Sequence, residues 1–322
     1  MISFIIIGRN EGQKLTKCFE SVLNTIEFNS LRDYEVIYVD SNSTDDSIER
    51  AKKFNNIKIF RLTRDVNAAI ARNLGVEKSK GDVLFFIDGD MEIMSEFLGK
   101  IYNNHGNLLH AFLSGNYYNY YYNTDGVLLS KQLAFHNKYI IKDYKTGGLF
   151  IIKREVWDSV NGMRNEFKKS EDFDLGLRLA AKGYLLYRLP FIAAIHHTIS
   201  YNDKSRKWLM LFDKTHLWGR CYLYRRNIFN RWSWKLLLRQ DYTLLLLFLT
   251  VICLMFCVKF ILLFSFYPIA LIVRSINSNR RCLKIHFFIK DFFYYLIRDI
   301  TQLIGFVFFF PKKFKNIQYK TL

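Results

Sequence analysis

"GDVLFFIDGDMEI", Gly81 to Ile93, is the stretch on which the reading of this chain turns. Leu84 to Ile87 is an unbroken apolar run, the signature of a strand buried on both faces. It ends at once in Asp88-Gly89-Asp90. A buried strand has no use for two carboxylates one residue apart unless its end opens onto something charged. At a strand exit such a pair can hold a hard cation through oxygen, as Mg²⁺ and Mn²⁺ accept. Asp-Gly-Asp is also an ordinary turn sequence, so the pair acquires meaning only from its surroundings.

Upstream, strand and helix patterns alternate. "ISFIIIG" (2–8), "YEVIYVD" (34–40) and "IKIFRL" (57–62) are short apolar runs. Between them, Leu15, Cys18, Phe19, Val22, Leu23 and Ile26 recur at helical spacing, "STDDSIERAKKF" opens with capping residues, and "NAAIARNLGVEKS" is helical. This alternation predicts an α/β fold, a mostly parallel Rossmann-like sheet flanked by helices. Ligands of such sheets bind at the carboxyl ends of the strands. The residues there are Gly8-Arg9-Asn10-Glu11, Asp40-Ser41-Asn42-Ser43 and Asp88-Gly89-Asp90. Ser43 or Thr44 is expected to cap the next helix, leaving Asp40 to accept from a nucleobase N–H. Arg72, on the helix before the Asp88 strand, is a candidate nucleotide contact.

Residues 101–200 are less regular. Five tyrosines fall within Tyr117–Tyr122, an amphipathic strand or a platform for stacking sugar rings. "TGGLFIIKREVWDSVNGMRNEF" gives Gly147-Gly148, a strand and a short helix. "KSEDFDLGLRLAAKGY" places Glu171 and Asp172 just ahead of a helix with Leu175, Leu179 and Ala180 on its apolar stripe. At a helix N-terminus Asp172 stays ionised and can take a proton from an attacking alcohol, with Asp174 competing for the structural role. "YLLYRLPFIAAIHH" supplies one or two strands ending in His196-His197.

In their order, "RNEG", "VDSNSTDDS", "ARNLG", "FIDGD", "TGGLFIIKREVWDSVNGM", "SEDFDLGLRLAAKGY" and "PFIAAIH", spanning residues 2–197, resemble a family 2 glycosyltransferase with the GT-A fold. The resemblance implies a nucleotide-sugar donor, most often a UDP-sugar, and a divalent cation, Mg²⁺ or Mn²⁺. It implies that Asn10, Glu11 and Asp40 contact the nucleoside and that Arg72 lies near the base or diphosphate. Asp88 would reach the ribose or the metal, Asp90 and His196 the metal, and Gly147, Gly148 and Glu171 the sugars. Asp172 would be the base of an inverting displacement. No QxxRW follows the histidines; "DKSRKWLM" stands there instead, so transfer of a single sugar is expected. A polyprenyl-phosphate sugar synthase is the enzymatic alternative, and an inactive scaffold of a polysaccharide assembly complex the non-enzymatic one. No GxGxxG follows the first strand, which speaks against a dinucleotide-binding dehydrogenase.

Charge divides the chain. Residues 1–200 hold 26 Lys+Arg and 24 Asp+Glu, while residues 201–322 hold 21 and 5, together the 47 and 29 that give a net charge of +18. The basic last third also carries the longest apolar run, Thr243 to Val273, interrupted only by Lys259. That pairing points to an anionic membrane surface and away from nucleic acid. Trp208, Trp218, Trp232 and Trp234 lie among cations in 204–239, as in interfacial helices. A helix over the apolar run would be about 46 Å long, against a hydrocarbon core of about 30 Å. Basic flanks on both sides favour a hairpin or re-entrant pair turning near Lys259.

The expected organisation is a catalytic domain at 1–200, with its nucleotide-sugar part at 1–100 and its acceptor part at 101–200. Basic aromatic helices follow at 201–240, then membrane hairpin and interfacial helices at 241–322. The odd cysteine count of 5 and the absence of a basic n-region before "MISFIIIG" suggest a reducing compartment. The expected location is the inner membrane with the catalytic domain cytoplasmic, acting on a lipid-linked saccharide or glycan acceptor. The oligomeric state is not legible.

Overall fold

The computed structural model of the chain describes residues 1–135, 137–200, 205–256, 266–278, 285–312, 314 and 316–322. It divides into two compact units, Met1–Ser200 with Lys312–Leu322, and Tyr201–Pro311.

The first unit starts with four strands, β1 (Ile2–Gly8), β2 (Tyr34–Asp40), β3 (Ile57–Leu62) and β4 (Val83–Asp88). They lie in the order β3-β2-β1-β4, all parallel. Register pairs Gly8 with Asp40 and Ile7 with Asp88, so three strand ends stand side by side. Helices cover both faces, which is why most residues of these strands are apolar and buried. α1 (Gln13–Phe28) buries Leu15, Cys18, Phe19, Val22 and Ile26 against one face. α3 (Ala68–Lys78) buries Ile70, Ala71, Leu74 and Val76 against the other. The Asn67 side chain caps α3 by accepting from Ile70 N at 2.8 Å. α2 (Ser47–Ala51) is short.

Past β4 the sheet is mixed, which corrects the expected mostly parallel sheet. β9 (Phe150–Lys153) runs antiparallel to β4, and β6 (Phe112–Tyr122) runs antiparallel to β9. β10 (Leu186–Ile199) is parallel to β6, and β5 (Met91–Ile93) closes that edge antiparallel to β10. β7 (Leu128–Leu133) and β8 (Ile141–Asp143) pair off this path with β6 and β10. Apolar pattern reveals that a segment is a strand, while its direction follows from the path of the connections. α4 (Ser95–Gly99), α5 (Arg154–Asp158) and α6 (Glu171–Ala181) complete this unit. Phe86, Phe150 and Trp157 stack with centroids 4.5 and 4.8 Å apart, joining β4, β9 and α5.

β6 is the tyrosine-rich strand. Its first half is buried and Tyr118 is 38% exposed. Tyr120 carries Lys131 over its ring at 4.6 Å, and the Tyr122 hydroxyl meets His197 Nδ1 at 2.8 Å. Those two rings are engaged by their neighbours.

The last residues correct the expected boundary at 241–322. Lys312–Leu322 belongs to the first unit, where β11 (Tyr319–Thr321) adds antiparallel to β3. Phe314, Ile317 and Tyr319 pack on the core beneath α3. The charged "PKKFKNIQYK" has no strand pattern of its own, and the unpaired edge of β3 supplies the partner.

The second unit is helical, with Ser205–Phe212, Arg231–Gln240, Tyr242–Phe256, Phe266–Ser278 and Ile285–Phe308 as its longer helices. Among the described residues no single helix is long and apolar enough to cross a membrane. Arg231–Gln240 and Tyr242–Met255 meet that standard only as a pair, bent by 101°. The expected membrane hairpin, with its turn near Lys259, falls partly on 257–265 and so lies outside the described residues. Asp241 sits at the bend, buried, with the Tyr224 hydroxyl donating to it and Arg220, Arg274 and Arg298 at 3.1 to 3.3 Å.

Candidate active site

One cleft of about 290 Å³ opens at the carboxyl ends of β1 and β4. Glu11, Arg72, Asp88, Asp90 and Glu171 line it together, with Gly8, Arg9, Ser41, Asn67 and Ala68. Five of the expected site residues thus converge from four separate segments.

Arg72 is the hub. It is 2% exposed, and its Nη2 donates to Asp88 Oδ1 at 2.7 Å while Nη1 donates to Glu171 Oε1 at 3.3 Å. It ties the end of β4 to the first turn of α6, in addition to facing the cleft. Glu171 lies against it, and burial, then the Asp172 charge, push the Glu171 carboxyl up to about 7 despite Arg72. Glu11 is also pushed up to about 7, by burial first and then by Asp90. Its backbone N–H and that of Gly12 both donate to Ser47 Oγ, fixing the start of α1 on α2.

The chain leaves Asp90 directly into β5, and the β5–β10 register pairs Met91 with His196. That pairing sets His196 Nε2 3.2 Å from Asp90 Oδ2, while His197 N–H donates to the Asp90 carbonyl at 2.8 Å. Burial pulls His196 down, but the Asp90 hydrogen bond and charge, then Asp88, carry it above the ordinary histidine value. His197 turns the other way, onto Glu92 at 2.6 Å and Tyr122.

Among the described residues no three His, Cys, Asp or Glu side chains form a ready-made metal cage. The donor chemistry still suits a cation. One carboxylate and one imidazole face each other, Asp88 is adjacent, and Mg²⁺ or Mn²⁺ takes its remaining ligands from water and phosphate. The cleft lining also holds Glu11, Asp88, Asp90 and Glu171 against Arg9 and Arg72, an excess of negative charge that a bound diphosphate would worsen.

Asp172 lies in the first turn of α6 beside Glu171, and its Oδ1 accepts from Phe173 N at 2.9 Å. It does not line the cleft itself. Asp174 takes the structural role, with Arg164 and Arg178 on its two oxygens at 2.7 and 2.8 Å. Gly148 lies across Asp88, whose N–H donates to the Gly148 carbonyl at 3.0 Å. Gly147 has φ +74°, a conformation that glycine adopts without strain.

Two of the expected site residues, Asp40 and Asn10, are engaged by the strand-end loops themselves and do not line the cleft. Asp40 is fully buried, and its carboxylate accepts from Ser43 N at 2.8 Å, from the Ser43 hydroxyl and from the Tyr38 hydroxyl at 3.1 Å. It shapes its own turn, because an Asp at a strand end finds backbone donors within three residues. Ser43 thus serves Asp40, and the helix-start donor at Ser47 N finds Asp45 Oδ1 at 3.1 Å. Asn10, at φ +58°, accepts from Thr44 N at 2.8 Å and donates its own N–H to Ser43 Oγ. It fastens the first strand-end loop to the second and does not line the cleft. Among the lining residues, Gly8, Arg9 and Ser41 were placed at strand ends without a role, and Val66, Asn67 and Ala68 were not assigned to the site; the cap position of Asn67 before an apolar helix was the available signal.

The glycosyl transferase family 2 model matches residues 3–170, more than half of the chain. The chain belongs to glycosyl transferase family 2. Relatives in the family include glycosyltransferase AglE of Haloferax volcanii, 27% identical over 216 residues, 64% of this chain and 70% of AglE. Glycosyltransferase GlyG of Streptococcus pneumoniae is 28% identical over 124 residues, 37% of this chain and 40% of GlyG. The poly(ribitol-phosphate) beta-N-acetylglucosaminyltransferase TarP of Staphylococcus aureus is 32% identical over 106 residues, 32% of each. The chain thus matches well under half the length of GlyG and TarP. The family's GT-A-like arrangement is present here as a mixed sheet flanked by helices, with the family match covering β1 through β9.

Proposed function

We propose that the protein is an inverting, metal-dependent glycosyltransferase that moves one sugar from a nucleotide-diphosphate sugar to a lipid-linked or glycan acceptor during cell-surface polysaccharide synthesis. The observation that carries this reading is Asp90 facing His196 Nε2 at 3.2 Å at the end of β4, beside Asp88 in a cleft lined by Glu11, Arg72 and Glu171.

The roles follow from chemistry. Asp172, in the first turn of α6, accepts the proton of the acceptor hydroxyl as its oxygen bonds to the anomeric carbon. The bond from that carbon to the diphosphate breaks in the same step, so the configuration inverts and a nucleoside diphosphate leaves. Asp90 and His196 are the residues that would hold a divalent cation, which supplies charge neutralisation for the departing diphosphate. Glu11, with its carboxyl near 7, meets a nucleoside able both to donate and to accept. Arg72 keeps Asp88 and Glu171 in place.

The place of action is the cytoplasmic face of a membrane. Supporting this, the second unit leaves large apolar side chains in solvent, among them Phe229, in the turn before Arg231–Gln240, at 100% and Met255 at 80% exposure. A soluble surface rarely carries so many, and the surrounding lysines and arginines suit anionic headgroups.

Calorimetric titration with UDP, with and without Mn²⁺, tests the proposal. Mn²⁺-dependent binding that vanishes in Asp90→Ala supports it. UDP binding indifferent to both Mn²⁺ and Asp90 overturns the metal-dependent reading. Loss of transfer in Asp172→Asn with donor binding intact separates a base-dependent transferase from a synthase whose acceptor is an already ionised lipid phosphate.

A further inference from the structure

The register of β6 against β10 pairs Asn119 with His196. Asn119 Oδ1 stands 2.8 Å from His196 Nδ1, and Asn119 Nδ2 donates to the Tyr121 hydroxyl at 3.3 Å. The amide therefore presents its oxygen, an acceptor, to the ring. On the opposite side of the ring, Nε2 faces Asp90 Oδ2. Tyr117 abuts the imidazole edge-on, with the two rings at 90°.

A neutral imidazole carries one N–H, and the hydrogen bond made by one nitrogen decides what the other can do. With Asn119 accepting at Nδ1, a proton stays there, so the proton that Nε2 shares with Asp90 is the one a bound cation would displace. We propose that Asn119 is a positioning residue that holds His196 in the tautomer and orientation able to ligate a divalent cation through Nε2. This rests on the reading of Asp90 and His196 as cation ligands. Asn119 acts entirely through His196, and what the position requires is an acceptor oxygen rather than an amide.

The test is Mn²⁺ uptake by the full-length protein, followed by the electron paramagnetic resonance signal of free Mn²⁺ and needing no activity. Asn119→Leu keeps the shape and removes the acceptor; affinity falls about 10- to 100-fold, the usual effect of losing an outer-shell partner. Asn119→Asp restores the acceptor and retains binding. In a His196→Ala background, Asn119→Leu has no further effect. Thermal melting of each variant reports folding, and Asn119→Ala replaces the leucine variant if that one fails to fold. Wild-type affinity in Asn119→Leu overturns the inference alone, as does an added loss in the His196→Ala background. Equal Mn²⁺ uptake by wild type and His196→Ala overturns the metal reading, and this inference with it.

Discussion

A Cβ on Gly148 would sit 2.4 Å from Asp88 Oδ2. The Asp88 side chain has little room to withdraw, because Arg72 holds its other oxygen at 2.7 Å. Gly148→Ala therefore displaces either the carboxylate or the strand-entry loop that crosses it. A displacement near 1 Å at a reacting centre costs about a hundredfold in rate. The expected outcome is loss of Mn²⁺-dependent UDP affinity in calorimetry, with a native circular dichroism spectrum. Wild-type affinity in the alanine variant would show that the loop yields without moving Asp88.

Glu171 carries a stability cost that its chemistry explains. Its carboxyl is pushed up to about 7 from 4.5 by burial and by Asp172. A carboxyl raised in the folded state favours folding fully only below the unfolded value. That contribution is lost as pH rises from 4.5 through 7. Glu171→Gln removes the ionisation and keeps an oxygen for Arg72. The variant should be more stable than wild type by roughly 3 kcal/mol at pH 8, with the gain fading toward pH 4.5. Chemical denaturation at the two pH values measures this, and a gain independent of pH contradicts it.

The return of the chain end to β3 invites a direct test. Tyr319 packs its ring edge-on against Phe60 at 6.0 Å and receives Lys78 over its face at 4.5 Å. Backbone bonds from Thr63 N to Gln318 O and from Leu322 N to Ile59 O, each 3.0 Å, continue the ladder. Deleting Lys312–Leu322 opens the β3 edge, so melting should fall and light scattering on heating should rise. Tyr319→Ala, the milder change, should cost about 1 to 2 kcal/mol. Unchanged melting in both would mean that β11 adds nothing to the fold.

What could be read in advance depended on how local the information was. β1 to β4 and their helices announce themselves because the strands are short and mostly apolar and the helices between them carry apolar stripes, as in Leu15, Cys18, Phe19 and Val22. The Asp88–Asp90 pair was legible because carboxylates at a buried strand end are anomalous. The direction of β9, the pairing of β11 and the partnership of Asn119 with His196 depend on register between segments far apart in the chain, which no local pattern encodes. The partners of Asp40 are local instead. Its donors lie within three residues, and a strand-end aspartate that satisfies its own turn looks the same in sequence as one that awaits a ligand.

Asp241 holds the 101° bend between Arg231–Gln240 and Tyr242–Met255 by charge. It is 1% exposed and has Arg220, Arg274 and Arg298 within 3.3 Å. Burial alone would raise its carboxyl; Arg298, Arg220 and Arg274, with the Tyr224 hydroxyl, instead bring it down to about 2 from 3.8. A depressed carboxyl contributes stability that is present above the unfolded value and is lost as pH falls through the folded one. About 2 kcal/mol should therefore disappear between pH 3.8 and 2. Asp241→Asn keeps the shape but leaves three arginines facing one another across the bend. At pH 7 it should destabilise the second unit by about 3 kcal/mol, the order expected when one partner of a buried ion pair is removed. As pH falls from 3.8 through 2 most of that gap should close, because the wild type then loses the charge that the variant lacks. Thermal unfolding across that pH range decides it: a gap that persists at pH 2 would assign the bend to packing rather than to charge.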